Sequence, residues 1–322
     1  MQFPTSSKVA CMAAIMTLAA CSKSDQVATP DQTPKPEVTA AGKYISQIFE
    51  YAPAPGQFIN AGNTGTPAGA QKLIGGTSAL VSLGAYGGYI TFGFDHPVQN
   101  NAGADIGIYG NPLINTNQEW SEPGIVMVMQ DLNNNGKPDD GEWYELAGSE
   151  YNNPATIRNY KITYYNPKQS VAADVLWKDN QGRSGYVLKN NFHGQSYYPS
   201  FAANQDSLVF TGALLPNTLV KRFDPVINSN IITNQPLAAG YSDNGSAEFI
   251  NFFNTTGRGY NTVDISNAVN SQGQKVNLSY INFVKIYTGQ NNNGNTSADP
   301  ANPDRKTGEV STEVSGAMDL GL

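Results

Sequence analysis

The chain has almost no means of cross-linking itself. Its 322 residues include two cysteines, Cys11 and Cys21. Cys11 lies inside a leader that is expected to be removed, so no internal disulfide can form in the mature chain. Charge is scarce, at 14% of residues, and it tips acidic, with a formal net charge of −7. Such a balance, with no basic stripe, argues against nucleic acid as a partner. Past the first twenty residues no apolar run approaches the ~20 residues that a membrane-spanning helix takes. Histidine is limited to His96 and His193. Neither Gly-x-Ser-x-Gly nor His-Glu-x-x-His occurs, so both histidines are expected to be hydrogen-bonded structural residues. Helical periodicity is weak, and Lys43–Tyr51 and Ser266–Val269 predict a turn or two at most.

What is present begins with an address. Lys8 is the only charge in residues 1–20, Val9 to Leu18 is a short apolar run, and Leu18-Ala19-Ala20-Cys21 follows. The run has the length of a secretory h-region. Its ending resembles a bacterial lipobox, in which Cys21 is acylated and becomes the new N-terminus. Cleavage there removes Lys8 and takes the net charge from −7 to −8. Residues 21–43 are polar with Pro30, Pro34 and Pro36, a flexible spacer between lipid and domain.

The roughly 300 remaining residues are enough for a core without staples. Gly, Asn, Ser and Thr punctuate short runs that alternate in polarity. Ile90, Phe92 and Phe94 share one face of a strand, and Tyr160, Ile162 and Tyr164 share another. Ile125–Met129 is apolar on both faces, as a strand buried between two layers would be. Ser207–Thr211, Ala247–Phe253 and Tyr280–Thr288 read similarly, and Val310 and Val314 predict a final strand. No spacer interrupts this series. Residues 44–322 are therefore expected to form one all-β domain, a jelly-roll-like β-sandwich with long loops. The run from Gln290 to Pro303 is Asn-rich and reads as an exposed loop.

One loop carries a specific chemical pattern. Counting Asp131 as position 1, oxygen donors fall at Asp131, Asn133, Asn135, Asp139 and Glu142, with Gly136 at position 6 and the Lys137 carbonyl at position 7. This is the spacing of a twelve-residue Ca2+ loop, in which six to eight hard oxygens converge on the ion and a glycine allows the reversal. Asp140 is an alternative to Asp139 as donor. Apolar segments flank the loop on both sides, so calcium is expected to clip a β-hairpin. An ordinary Asn/Gly turn is the plainer reading.

Aromatic residues in loops are candidates for stacking on sugar rings or flat cofactors. Trp120, Trp177, Tyr197 and Tyr198 are the candidate ligand-binding set, whereas Trp143, directly after the calcium loop, is expected to bury. Two further turns, Asp179-Asn180-Gln181-Gly182 and Asp243-Asn244-Gly245, read as Asx turns.

Several segments resemble a known family in a fixed order. They are Ser82–Pro97, Ala104–Asn111, Glu122–Val128, Trp143–Tyr151, Gly194–Pro199 and Val284–Gly289. The pattern, spanning Tyr44 to Leu320, resembles Bacteroidetes cell-surface lipoproteins often labelled only "cell surface protein" or PKD-domain-containing. The resemblance implies a surface-exposed outer-membrane lipoprotein that accompanies a nutrient transporter, with no catalytic residues to carry over. The Asn-rich stretch at 291–300 departs from the aromatic-containing segment of those proteins. From these features the expected function is non-catalytic: binding a glycan or a small corrinoid-like nutrient, or serving as accessory to its uptake. The alternatives are a structural or adhesive surface protein, or a glycoside hydrolase.

Overall fold

A computed structural model describes residues 42–114, 119–252, 259–295, 297, 301–303 and 305–322. Cys21 and the spacer up to residue 41 lie outside the described residues. The all-β sandwich expected from the alternation is what forms, with three larger antiparallel sheets and two two-stranded ones among the described residues, one of the latter pairing Val81–Ser82 with Glu313–Val314. The middle sheet has six strands in the order Gln47–Ala52, Tyr89–Gln99, Tyr280–Thr288, Gly124–Met129, Tyr144–Leu146 and Ala268–Val269. On one side lies a sheet of Ile250–Asn251, Gly259–Val263, Ile106–Gly110 and Gly316–Asp319, here called the Ile106 sheet. On the other lies the Tyr160 sheet, of Ser207–Leu214, Ile157–Tyr165, Val175–Asp179 and Ser184–Val187.

Two hydrophobic cores follow from the two-residue period of a strand. In Tyr280–Thr288, Val284 and Ile286 point into the first core with Ile90, Phe92, Val126 and Val128, against Ile106 and Ile108. The alternate residues of the same strands point the other way. Ile125 and Tyr287 join Tyr160, Ile162, Tyr164 and Phe210 in a second core beneath the Tyr160 sheet. This is why Ile125–Met129 is apolar on both faces: its sheet is covered twice. Each buried leucine- or isoleucine-sized side chain contributes roughly 1.5–3 kcal/mol, and both cores draw on the middle strands.

Three expectations are corrected. Lys43–Tyr51, expected to hold a helical turn, instead leads into the strand Gln47–Ala52, paired with Tyr89–Gly93. Its backbone groups find partners across the sheet, which a lone helical turn cannot match. The Ala247–Phe253 strand shrinks to Ile250–Asn251, and Phe253 lies outside the described residues. The Asn-rich run does not start exposed: Gln290 is fully buried, donating to the Pro216 carbonyl at 2.6 Å and accepting from Asn234 at 2.8 Å. Ser266–Val269 does contain part of one 3₁₀ turn, Ile265–Asn267.

His96 is buried, with Nδ1 2.8 Å from Asp95 and Nε2 2.9 Å from Asp319, so it ties the second strand of the middle sheet to the last strand of the chain. A hairpin, Leu219–Asp224 with Ser229–Asn234, stands apart from the sheets and leaves Phe223, Val226 and Ile227 exposed.

The closing segment is unusual in that residues 308–319 are all buried although they include Glu309, Glu313 and Asp319. Glu309 accepts the Gln57 N–H through Oε1, while its Oε2 has no hydrogen-bond partner among the described residues. Burial pushes this carboxyl up to about 7. The unfolded chain releases the proton near the ordinary value of ~4.3, whereas the folded chain keeps it until about pH 7. Stability from this group is therefore complete below pH ~4.3 and drains away as pH rises to 7, by up to about 1.4 kcal/mol per pH unit. Urea midpoints should fall between pH 5 and pH 8, and Glu309→Gln should fall less over the same interval. Parallel losses in both proteins would refute the assignment.

Candidate functional site

The Tyr160 sheet covers only part of the middle sheet, and where the two diverge they leave an open cleft of about 930 Å³. That lies toward the upper end of the ~300–1,000 Å³ usual for small-molecule sites. Its floor is the second face of the middle sheet: Tyr89, Met127, Glu145, Lys285 and Tyr287, with Trp143 beside them. Arg158, Phe210 and Thr211 of the Tyr160 sheet form the opposite wall, and Asn159, Asn180 and Asn270–Gln272 line the rim.

Strand register places these groups. Lys285 sits between Thr91 and Met127, and Met127 is opposite Glu145. Alternation puts Phe283, Lys285 and Tyr287 on one face, so the lysine occupies a position where its neighbours are aromatic. Its ammonium lies 4.3 Å from the centre of the Trp143 ring and 5.0 Å from that of Tyr89. The negative faces of the rings hold the cation in place. Burial lowers the Lys285 pKa below the usual lysine value, partly opposed by Glu50. Glu50 itself accepts the Tyr89 hydroxyl at 2.6 Å.

Glu145 is the one carboxylate among the described residues that line the cleft, and Arg158 holds it at 2.7 Å. Burial pushes the Glu145 carboxyl up, against the pull of the guanidinium. Arg158 also donates to the Tyr151 carbonyl at 2.6 Å and lies 3.8 Å over the Tyr151 ring.

Glycines set how closely the sheets approach at the closed end. A Cβ on Gly212 would come within 2.9 Å of the Tyr287 ring, whose hydroxyl accepts the Ala213 N–H at 3.0 Å. Gly87 has φ +86°, and a Cβ there would lie 2.4 Å from Phe210 Cβ.

The candidate aromatics separate. Tyr197 and Tyr198 are buried in the second core, where Tyr197 accepts the Asn190 N–H at 3.0 Å. They are packing residues and are not available for stacking. Trp177 is half-buried against the same core, with its ring under Gly185 of the neighbouring strand. Trp120 pairs its backbone with Leu113, and its side chain donates to Glu122. None of the four lines the cleft. Trp143, expected to bury, does line it. The available signal was Lys285, a cation on a face otherwise aromatic.

The loop read as a calcium site brings some of its expected donors together and leaves others out. Gly124–Met129 and Tyr144–Leu146 pair as a hairpin around it, and Gly136 makes the reversal at φ +71°. Asp131 accepts the N–H groups of Asn135 (3.1 Å) and Gly136 (2.8 Å). Asn133 and Asn135 both donate through their amides to Asp139, at 3.0–3.1 Å. These bonds hold the Asp139 carboxyl below its ordinary value. Asn133 and Asn135 are thus brought to Asp139 through their amide nitrogens, while their Oδ1 atoms accept the Asn135 and Lys137 N–H groups at 2.9 and 2.8 Å. Two donors are not brought in. The Lys137 carbonyl accepts the Asp139 N–H at 2.9 Å, and Glu142 accepts both N–H and Oγ–H of Ser271 at 3.2 Å. Asp140 caps the start of the loop by accepting the Leu132 N–H at 2.7 Å.

A different acidic group emerges that spacing did not reveal. Carboxyl oxygens of half-buried Glu122 and buried Asp243 and Glu313 lie within 4.8 Å of one another. Three carboxylates in such a place resist being charged together; burial and the neighbouring carboxyls push Asp243 and Glu313 well above their ordinary values. Asp243 is therefore no Asx turn, whereas Asp179 is, accepting the Gln181 and Arg183 N–H groups. His193 packs edge-on against Phe58, 4.8 Å between ring centres, with no carboxylate partner among the described residues.

No protein-family model matches the chain, and no curated protein matches it either.

Because the Gly87 conformation and the Phe210 contact coincide, Gly87→Ala should cost about 1–3 kcal/mol. Urea unfolding measures it, and an unchanged midpoint would mean that the closed end of the cleft yields freely.

Proposed function

We propose that the chain is a lipid-anchored surface protein whose domain binds a ring-bearing small nutrient, such as a glycan segment, in the cleft between the middle and Tyr160 sheets. The observation that carries this reading is the cleft itself: an aromatic floor of Tyr89, Trp143 and Tyr287 beneath a rim of Asn and Gln amides. Flat apolar rings bordered by hydrogen-bonding amides suit a sugar, which has apolar C–H faces and a hydroxyl perimeter. The lipobox-like Leu18–Cys21 and the polar spacer behind it would hold the domain at a membrane, on this reading the outer membrane and facing outward. Delivery to an outer-membrane transporter is the role that the family resemblance supports; a corrinoid-like nutrient is a second candidate occupant. Hydrolysis by paired acids takes two carboxylates flanking the bond, and Glu145, tied to Arg158, is the one in the cleft lining. The exposed Phe223, Val226 and Ile227 of the hairpin favour an adhesive or docking contact as the second reading.

Calcium fits as a structural ion. Asp131, Asn133, Asn135 and Asp139 would hold it, and it would fix a loop that runs directly into Trp143.

Two measurements test these readings. Isothermal titration against panels of oligosaccharides and corrinoids should find a ligand whose affinity drops at least tenfold in Trp143→Ala, with the circular dichroism unchanged. Silence across both panels would count decisively against the cleft. Separately, chelation should lower the melting temperature by several degrees and added calcium should restore it, since an ion bound only to the folded form stabilises it. An identical melt with and without chelator would remove the ion from the account.

A further inference from the structure

The charge of the cleft is opposite to that of the protein around it. The whole chain carries −7, yet the cleft lining holds three cations, Arg158, Lys161 and Lys285, against one carboxylate, Glu145. Arg158 is spent on Glu145 at 2.7 Å. Lys161 and Lys285 make no ion pair among the described residues. Lys161 is exposed at the open edge. Lys285 stands on the floor, fixed between Trp143 and Tyr89. Glu50, the carboxylate that influences it, is engaged by the Tyr89 hydroxyl.

A ligand that stacks on this floor shuts water away from the ammonium. If the ligand were neutral, the ammonium would be stripped of solvent with no carboxylate in ion-pair contact and only the more distant Glu50 to offset it, a cost that grows as the cleft closes. If it carried a carboxylate at that point, the same desolvation would strengthen a charge-assisted hydrogen bond. An anion would also be drawn to a cationic concavity on an acidic protein.

Resting on the binding role proposed above, we infer that the cleft selects acidic saccharides, with a uronate carboxylate seated on Lys285 and its sugar ring against Trp143 and Tyr89. Lys161 at the edge meets the next acidic residue of the chain, and the Asn159, Asn180 and Asn270 amides take hydroxyl groups. The Glu145–Arg158 pair remains intact and is a wall of the site. Arrival of the carboxylate raises the proton affinity of Lys285, reversing the effect of burial.

Titration of the full mature domain with tetramers of galacturonate, glucuronate, mannuronate and guluronate, beside neutral galactose, glucose and mannose tetramers, decides the matter. At least one uronate should bind, and more weakly as salt increases. Lys285→Met, which keeps the stem and removes the charge, should lose at least tenfold in affinity for it, and Lys285→Arg should recover part of the loss. Melting curves establish that each variant is folded. If Lys285→Met does not fold, reductive dimethylation of the wild-type lysines, which keeps the charge, must leave uronate binding largely intact, and acetylation must abolish it. Neutral oligosaccharides binding as well as the uronates, or a folded Lys285→Met with wild-type affinity, would overturn the selectivity and leave the binding role standing. No uronate binding while a corrinoid or neutral glycan binds does the same. Silence across every probe takes down both.

Discussion

The architecture hangs on burying a polar tail. Residues 308–319 pair with Val81–Ser82 and then join the Ile106 sheet, buried at every position, and such a route is affordable only because nearly every polar group along it is met. Ser311 donates its N–H to Glu122, Thr312 its hydroxyl to the Glu122 carbonyl, and Glu313 its N–H to Asp243. Ser315 reaches the Thr77 and Ala79 carbonyls, and Asp319 meets His96. The partners range from Thr77 to Asp243, so residues 308–319 tie together segments distant in sequence. At Asp243 and Glu313, burial and the neighbouring carboxyls favour the neutral form by pushing both groups well above their ordinary values. Removing one partner leaves its mate buried without a bond, a penalty larger than the bond was worth. The segment is therefore all-or-none, and the hydrophobic cores on either side presuppose it.

A sheet covered on both faces favours apolar residues on both, as Gly124–Met129 shows, and on the second face Thr91, Lys285 and Glu145 lie in one cross-strand row as the departure. There the cover withdraws. The exception and the cleft have one cause: charged side chains on that face cannot be roofed by Tyr164 and Phe210, so the Tyr160 sheet diverges from it. Water, or a ligand in its place, satisfies what the protein leaves unmatched.

Local pattern made the strands legible. Ile90–Phe94, Tyr160–Tyr164 and Tyr280–Thr288 alternate clearly enough that their faces follow from period alone, and the doubly apolar Ile125–Met129 points to a covered sheet. What pattern misses is long-range partnership. Gln290 looks like loop surface because its neighbours are asparagines, yet its partners lie at Pro216, Thr218 and Asn234. Asp243 looks like a turn because Asn244 and Gly245 follow it, yet it meets Glu122 and Glu313, distant in sequence. Tyr197 and Tyr198 look displayed beside Pro199, and they are core. In each case a short stretch of composition gave the plausible answer and a tertiary contact gave the real one. Lys285 is the counterexample, since a lone cation between Phe283 and Tyr287 on one strand face is visible without coordinates.

The loop and the cleft are covalently adjacent, so on the proposed reading an ion in the loop would bear on the cleft as well as on local stiffness. Glu142 ends the loop, Trp143 follows it into the cleft, and the carboxylate of Glu142 grips Ser271 on the cleft rim. Glu142 cannot both hold Ser271 through Oε1 and contribute both oxygens to an ion at the far end of the loop. Occupation of the loop by an ion through Asp131, Asn133, Asn135 and Asp139 alone keeps the rim as it is. Recruitment of Glu142 frees Ser271 and shifts the residue that carries the Trp143 ring, the ring that holds Lys285. On the proposed reading, the oxygen count at the loop and the shape of the binding floor are then two readouts of one side chain's allegiance, and by linkage whatever tightens the one must act on the other.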